Sequence, residues 1–149
     1  MTEIRFYHLQ KQSLDEVLPA ILQKAFQMKK NIVVRMANDN EIERMNKHLW
    51  AFKPDVFLPH GSVKDGYAEH QPIWLSSSSD NPNEAKILIL TQGMAEENLA
   101  NYDLCCEMLD SQNETSISEA RKRWKTYQDA GHDVTYWHQN ENGSWAKKA

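Results

Sequence analysis

Apolar residues recur along the chain in short runs typical of buried strands, separated by longer stretches with a helical period. Three of the short runs, residues 4–9, 31–36 and 86–90, are rich in strand-forming side chains. Nearly continuous apolar runs are expected of strands in a parallel sheet that is covered on both faces. The pattern therefore predicts a sheet that contains at least these three strands.

The first helical stretch begins with a capping signal. Ser13 is followed three residues later by Glu16, which is the spacing of a capping box. An apolar stripe with a helical period follows and consists of Leu14, Val17, Leu18, Ile21, Leu22, Ala25 and Phe26. Because Pro19 lies inside this stripe, the helix either kinks there or its regular part begins near Leu18.

A second helix is predicted after the strand at residues 31–36. Asn38 or Asp39 can cap it. Its apolar face consists of Ile42, Met45 and Leu49. The first half of the chain therefore has the order strand, helix, strand, helix.

Two prolines, Pro54 and Pro59, interrupt the helical pattern after Leu49. We interpret residues 50–60 as a loop or a short extended piece, because proline forbids a regular helix through this segment. The segment concentrates three aromatic side chains, which are Trp50, Phe52 and Phe57. They either close one end of the domain or form an exposed anchor for a partner, and the pattern favours neither alternative.

The second half of the chain continues the alternation. We predict loop at residues 61–71, a short strand at 72–75, a polar connection at 76–84, loop with a helical turn at 91–101, and further strands at 103–109 and 133–138, the latter being the last. The whole chain, residues 1–149, is predicted to be a single α/β domain. Its central sheet is mostly parallel, or mixed, with helices on both faces.

A third helix is predicted between Ser116 and Gly131. Ser116 and Glu119 repeat the capping-box spacing, and Gly131 stands where a helix would end in a left-handed residue, so the helix should span about residues 117–130. Residues 121–125, Arg-Lys-Arg-Trp-Lys, place four cations and a tryptophan together in a chain whose formal net charge is −4. The positive charge is therefore local.

The predicted third helix has two different faces. Four residues at i, i+3, i+4 and i+7 share one face, and these are Arg121, Trp124, Lys125 and Gln128. The other face, suited to packing, is marked by Ala120, Tyr127 and Ala130. The cationic face is either a solvated surface with Trp124 in the core, or a pocket for an acidic peptide or a nucleic-acid backbone with Trp124 as an apolar wall.

The overall charge narrows the function of this cationic face. The chain has 17 lysines and arginines against 21 acidic residues, and its pI is about 5.8. Coating duplex DNA requires a broad basic surface, so we expect any connection to DNA to be indirect.

The first residues lack the apolar core of a signal peptide, and no stretch approaches eighteen apolar residues. We therefore expect a cytoplasmic protein without a membrane segment.

The sequence contains no recognisable catalytic, cofactor or metal motif. The predicted first strand-to-helix turn, residues 10–13, has no glycine that would let a pyrophosphate approach the backbone, and Gly-Lys-Ser/Thr does not occur. Cys105 and Cys106 are adjacent and lack a spaced partner, so we expect buried thiols and no zinc site. No histidine pair has the i, i+4 spacing with an intervening glutamate. We therefore predict no catalytic site, no cofactor and no metal.

Three parts of the sequence together resemble a known family. They are Phe6-Tyr7, Leu49-Trp50 followed by Pro54 and Phe57-Leu58-Pro59-His60, and the block at residues 121–131 that runs on to Trp145. In these parts the chain resembles the chi subunit of bacterial DNA polymerase III, a small accessory protein of the clamp-loader complex. The resemblance spans nearly the whole chain, although residues 76–115 contribute little.

The resemblance implies a non-catalytic subunit of a DNA-directed DNA polymerase, with a Rossmann-like fold that lacks a phosphate-binding glycine loop. It implies a protein that works in the bacterial cytoplasm at the replication fork and meets DNA only indirectly. One face would meet the psi subunit of the clamp loader through Trp50, Pro54 and Phe57. The other would bind the acidic C-terminal tail of single-stranded DNA-binding protein, which ends in phenylalanine, through Arg121, Lys122, Trp124, Lys125 and Gln128.

Two positions depart from the family's pattern. Trp124 stands where a tyrosine is at home, which preserves an aromatic wall and removes a hydroxyl group. Ile117 stands where a further cation is expected, which would weaken the contact with the tail or shift it toward Lys122.

Two other functions remain open from the residues alone. One is direct binding of single-stranded nucleic acid, with Trp124 and Trp137 as stacking platforms, and the other is a nucleotide-binding α/β enzyme.

Overall fold

The computed structural model describes residues 2–9, 12–51, 59–62, 65–96, 98–110, 114–142 and 144–148. In these residues one sheet has eight strands: β1 Glu3–Leu9, β2 Ile32–Arg35, β3 His60–Gly61, β4 Ile73–Ser76, β5 Ile87–Leu90, β6 Leu104–Asp110, β7 Asp133–Gln139 and β8 Trp145–Lys147. Their order across the sheet is β3-β4-β2-β5-β6-β1-β7-β8. Every pairing is parallel except β7 with β8, which is antiparallel. The predicted α/β class and mostly parallel sheet are confirmed.

Helices cover both faces of this sheet, as predicted. The α-helices among the described residues are α1 Leu14–Gln27, α2 Asp39–Ala51 and α3 Glu114–Asp129. Side chains alternate between the faces of a strand, so Tyr7 and Leu9 of β1 join a core with α1 and α2. Ile4 and Phe6 of the same strand join a second core with α3.

The helix α1 begins at Leu14 and runs through Pro19, so the alternative in which its regular part begins near Leu18 is wrong. The capping box forms as predicted, with Ser13 and Glu16 each bonding the backbone of the other. Pro19 has no N–H to bond the carbonyl of Asp15 four residues earlier. His48 of α2 donates from Nε2 to this carbonyl at 2.6 Å, which satisfies it and ties the two helices together.

The helix α2 extends further than the sequence indicates. Asn38 caps it, because its Oδ1 accepts from the backbone N–H of Glu41 at 3.0 Å. The helix ends at Ala51, so the prediction that Trp50 begins a loop is wrong, and Trp50 lies in the last turn. Proline disfavours helical geometry at the residue before it, so the proline at position 54 does not prevent a helix from reaching Ala51. Pro54 and Phe57 lie outside the described residues.

Two short strands were missed. Gly61, predicted as loop, pairs with Trp74 in β3, and the rest of that predicted loop includes a 3-10 helical turn at Ala68–His70. The strand β8 pairs with β7 at the edge of the sheet, so β7 is not the last strand. Strands of two or three residues are too short to show an alternating pattern in the sequence. They form because neighbouring strands pair with them.

The two cysteines are buried thiols, as predicted. Cys105 and Cys106 are free of disulfides and lie in β6 on opposite faces of the sheet. Burial raises the pKa of the Cys106 thiol to about 12 and raises that of Cys105 as well. Both thiols therefore stay protonated at neutral pH.

The helix α3 ends as predicted and begins earlier. Gly131 has φ +87°, its N–H donates to the carbonyl of Gln128 at 3.0 Å, and the N–H of His132 donates to Tyr127 at 3.1 Å, which is a Schellman ending. The helix begins at Glu114, so the predicted capping box at Ser116 is wrong. An acidic residue in the first turn suits the helix dipole. Ala130 lies beyond the helix and is exposed, so it does not pack as predicted.

Replacing Gly131 should destabilise the end of α3 through the backbone alone. An added Cβ would meet no atom within 4 Å, so Gly131→Ala introduces strain without a clash. We expect Gly131→Ala to lower the free energy of unfolding by about 1 kcal/mol in urea titrations. Gly131→Asn is the matched control and should lose less, because asparagine tolerates the left-handed region. Equal stability of Gly131→Ala and the unchanged protein would contradict this assignment.

Candidate functional site

Aromatic packing holds α3 against the sheet. The ring centroid of Phe6 in β1 lies 5.4 Å from that of Trp124 and 6.0 Å from that of Tyr127. Tyr127 and Ala120 are buried, as the sequence predicts for the packing face of the helix. Trp124 is only partly buried, and its other neighbour is Tyr136 of β7, with the ring centroids 6.5 Å apart. One edge of α3 is therefore fixed over β1.

An ion pair beneath α3 engages one of its four clustered cations. Arg123 Nε lies 3.0 and 3.2 Å from the two carboxylate oxygens of Glu107, and its Nη2 lies 2.7 Å from Oε1. Glu107 in β6 is only 2% exposed. Burial alone would lower the pKa of Arg123, but the hydrogen bonds and the charge of Glu107 outweigh it and raise the pKa. Arg123 is therefore a structural cation.

The carboxylate of Glu107 also acts on Tyr127. Burial raises the pKa of the Tyr127 phenol well above its ordinary value, and the charge of Glu107 and its hydrogen bond raise the pKa further. The phenol therefore remains a neutral donor beside the carboxylate. Two residues of α3 thus share one buried acceptor in β6.

The other three cations of the block point outward. Arg121, Lys122 and Lys125 are exposed. None of the three forms an ion pair within the part of the chain that the structure describes. Their charges are available to a ligand, and this is the difference between them and Arg123.

A cleft of about 490 Å³ opens between α3 and the strands β1, β6 and β7. We call it the α3 cleft. It is lined by Phe6, His8, Leu109, Ile117, Ala120, Arg121, Trp124 and Tyr136. Five of these eight side chains are apolar, and they are Phe6, Leu109, Ile117, Ala120 and Trp124. The indole N–H of Trp124 is the one hydrogen-bonding group among the five. Its volume falls in the range of pockets that enclose a small ligand or a single large side chain.

A second, shallower groove runs along the outer side of α3. We call it the outer groove, and it is lined by Ser118, Arg121, Lys122, Lys125, Thr126 and Asp129. Arg121 lines both the α3 cleft and the outer groove. An apolar cleft and a cationic groove therefore adjoin at one guanidinium group. This arrangement can hold an apolar side chain in the cleft while carboxylates lie along the groove.

Most of the residues predicted to form the binding face of α3 line the α3 cleft or the outer groove, and one of them does not. Arg121 and Trp124 line the α3 cleft, and Lys122 and Lys125 line the outer groove. Gln128 is exposed one turn beyond Trp124 and lines neither of them. Trp124 meets both alternatives at once, because it packs against the core beneath α3 and also forms a wall of the cleft.

Sequence reasoning missed the strand residues of the α3 cleft as site residues. Phe6 and His8 are two residues apart and therefore lie on the same face of β1. Tyr136 of β7 pairs in register with Phe6. The signal was a polar residue, His8, on the same side of the strand as Ile4 and Phe6, at the carboxyl end where parallel α/β sheets place their ligands.

Of the other predicted site only Trp50 is described, and it lies on α2, which packs on the face of the sheet opposite to α3. Trp50 at the end of α2 is 49% exposed, and its ring centroid lies 4.2 Å from that of His60. His60 is buried, and its Nε2 lies 3.2 Å from the carbonyl oxygen of Asn46. The described part of this site is therefore an exposed aromatic ring supported from below by a fixed imidazole.

Among the described residues, no group of three or more histidine, cysteine, aspartate or glutamate side chains has the geometry to hold a metal ion. No helix in the same part of the chain is both long enough and apolar enough to cross a membrane.

The chain is similar to a known family and to a named relative. The family model described as DNA polymerase III chi subunit, HolC, matches residues 1–135. A protein of Rickettsia prowazekii (strain Madrid E), described as a probable DNA polymerase III subunit chi, is 27% identical over 90 residues. That alignment covers 60% of this chain and 54% of the relative, so it spans about half of the relative's length.

Breaking the ion pair beneath α3 should destabilise the protein strongly. Arg123→Met leaves the buried carboxylate of Glu107 without its cation, so we expect the free energy of unfolding to fall by about 3 kcal/mol. The double variant Arg123→Met with Glu107→Met removes both charges and should recover most of that loss. Urea unfolding of the single variants and the double variant measures this coupling. If the losses of the single variants simply add in the double variant, the pair does not act as described.

Proposed function

The chain belongs to the DNA polymerase III chi subunit family, an accessory component of the replication machinery, and from this premise we propose a bridging role for it. The protein is a non-catalytic adaptor with two docking faces. The α3 cleft and the outer groove bind the acidic, phenylalanine-terminated tail of single-stranded DNA-binding protein. The face that carries Trp50 docks on the psi subunit of the clamp loader.

The observation that carries this proposal is the position of Arg121 between an apolar cleft and a cationic groove. A peptide that ends in phenylalanine presents an aromatic ring and a carboxylate on the same residue, with acidic side chains before it. The ring fits between Trp124 and Ile117 in the cleft, and the carboxylate meets Arg121 at the rim. The acidic residues then lie along Lys122 and Lys125.

The expected strength of this contact follows from its parts. An exposed ion pair contributes about 0.2–1 kcal/mol, so three of them supply at most about 3 kcal/mol. A micromolar complex requires roughly 8 kcal/mol. Burial of the phenyl ring, which contributes roughly 1.5–3 kcal/mol, and hydrogen bonds to the peptide must supply the remainder. We therefore expect a weak, salt-sensitive contact that gains strength when several tails are presented together.

The departures from the family's pattern at Ile117 and Trp124 agree with a cleft that provides apolar contacts and a groove that provides positive charge. Ile117 lines the α3 cleft, so the residue that replaces an expected cation adds apolar wall. Trp124 retains an aromatic wall, and it packs on Phe6. Charge recognition then rests on Arg121 at the rim and on the two lysines of the outer groove.

The face at Trp50 supports the second half of the proposal. An exposed tryptophan held by a buried histidine is typical of an interface anchor, because the ring is large and already ordered. The helix α2 packs on the face of the sheet opposite to α3. Both partners can therefore be bound at the same time without competing for one surface.

Direct binding of single-stranded nucleic acid is a weaker alternative. It requires Trp124 and Trp137 to act as neighbouring stacking platforms. Trp124 packs with the core beneath α3, whereas Trp137 stacks on Tyr7 in the core beneath α1 and α2. The two rings thus lie on opposite faces of the sheet and cannot hold successive bases of one strand.

Removing the rim and groove cations should weaken tail binding selectively. We expect Arg121→Ala with Lys125→Ala to bind an acidic, phenylalanine-terminated peptide roughly tenfold more weakly than the unchanged protein at low salt, because two ion pairs are lost. Isothermal titration calorimetry measures the affinity. The matched control is Lys24→Ala with Lys47→Ala, which removes two exposed lysines from α1 and α2. Equal affinities for both double variants would exclude the α3 site.

The two docking faces should be separable by single substitutions. Trp50→Ala should abolish capture of the purified psi subunit while leaving the affinity for the tail peptide unchanged, because it removes the exposed ring on the other side of the sheet. Met28→Ala is the control, since Met28 is also an exposed apolar side chain, at the end of α1. Pull-down with immobilised psi subunit measures capture. Full capture by Trp50→Ala would overturn the assignment of this face.

A further inference from the structure

The α3 cleft contains one hydrogen-bonded pair of polar side chains on its strand side. His8 at the end of β1 and Tyr136 in β7 both line it. The imidazole Nδ1 and the phenolic oxygen are joined by a hydrogen bond, and the rings meet edge to face with their centroids 5.8 Å apart. Neither residue belongs to the cationic face of α3, so the cleft has a second polar wall opposite the helix.

Arg121 faces this pair from α3. Burial raises the pKa of the Tyr136 phenol, and the positive charge of Arg121 opposes that rise. The phenol therefore keeps its proton throughout the physiological range, while the guanidinium is close enough to act on its oxygen. A carboxylate placed in the cleft would lie between a permanent cation and a neutral hydroxyl group.

The protonation state of His8 decides what this hydroxyl group offers to a ligand. When the imidazole is neutral with its proton on Nε2, Nδ1 accepts the hydrogen bond from Tyr136, and the phenol presents only lone pairs to the cleft. When the imidazole is protonated, Nδ1 becomes a donor to the phenolic oxygen. The hydroxyl hydrogen is then released and can donate to a carboxylate.

We propose that His8 and Tyr136 act with Arg121 to bind a carboxylate group of the peptide in the α3 cleft, and that protonation of His8 strengthens this binding. The inference rests on the proposed function, since it concerns how the same cleft recognises its peptide. It assigns a binding role to two strand residues beyond the cationic face of α3. It also makes the adaptor's hold on the tail sensitive to pH.

The direction of the effect follows from linkage. A carboxylate beside the pair favours protonated His8, so the pKa of His8 is higher in the complex than in the unbound protein. The additional affinity is present below the pKa of the unbound imidazole, and it is lost as the pH rises through the pKa of the complex. Peptide carboxylates are ionised above about pH 5. A change in affinity between pH 5.5 and pH 8.0 therefore reports on protein groups and not on the carboxylates of the peptide.

Other titratable and charged side chains lie near His8, and their effects on binding have to be distinguished from the effect of His8. His138 in β7 stands beside His8 in the strand register, and its Nε2 is buried without a hydrogen-bond partner among the described residues. Arg121 faces His8 from α3 and does not titrate in this range. From β6 the charged residue on this face is Glu107, which is held by Arg123. Among the described residues, His138 is therefore the one that a control must test.

Calorimetry of an acidic, phenylalanine-terminated peptide at pH 5.5 and pH 8.0, at constant ionic strength, tests the proposal. We expect the unchanged protein to bind roughly five- to tenfold more tightly at pH 5.5, since each unit of pKa shift in the complex is worth tenfold. His8→Gln, which can still accept a hydrogen bond from Tyr136, should bind with little dependence on pH. Tyr136→Phe should also lose the dependence, and His138→Gln should retain it.

A peptide with a C-terminal amide identifies which carboxylate is bound. If the pH dependence disappears with the amide, the carboxylate is the terminal one, and if it persists, the carboxylate is a side chain. Either result supports the proposal. Binding that is equal at both pH values in the unchanged protein, or a dependence that survives in both His8→Gln and Tyr136→Phe, overturns the proposal and leaves the proposed function intact. Failure of the unchanged protein to bind at either pH overturns the proposed function itself.

Discussion

The buried carboxylate of Glu107 determines how α3 presents its cations. A carboxylate that is 2% exposed requires a cation and hydrogen-bond donors, and Arg123 supplies both from α3. Because successive helical residues are rotated by a fixed angle, turning Arg123 toward the sheet sets the directions of its neighbours. Arg121 and Lys125 then point away from Glu107, and Trp124 lies over Phe6. One ion pair thus separates a structural cation from three exposed cations.

The strand order places the floor of the cleft beneath this helix. The helix α3 connects β6 to β7, and β1 lies between those two strands. The crossover therefore passes over β1, so Phe6 and His8 from the beginning of the chain lie under a helix that begins at Glu114. Ligand sites in such sheets lie at the carboxyl ends of the strands, and the end of β1 is where the cleft opens.

The local parts of this arrangement could be predicted from the sequence, and the non-local parts could not. Periodicity and capping signals identified α1, the apolar strands and the left-handed Gly131 that ends α3. The run of four cations could not show that Arg123 is engaged, because Glu107 belongs to a strand whose position under α3 depends on the strand order. His8 and Tyr136 were missed for the same reason. The strand β8 and the helical conformation of Trp50 depend on tertiary contacts that override a weak local signal.

We propose above all that a terminal phenylalanine ring occupies the α3 cleft. Nuclear magnetic resonance of the complex between the protein and an acidic tail peptide with a ring-labelled terminal phenylalanine tests it most directly. We expect intermolecular nuclear Overhauser effects from the ring protons to Ile117, Trp124 and Phe6. Contacts of the ring with Trp50 and His60, or with Trp137 on the other face of the sheet, would contradict it.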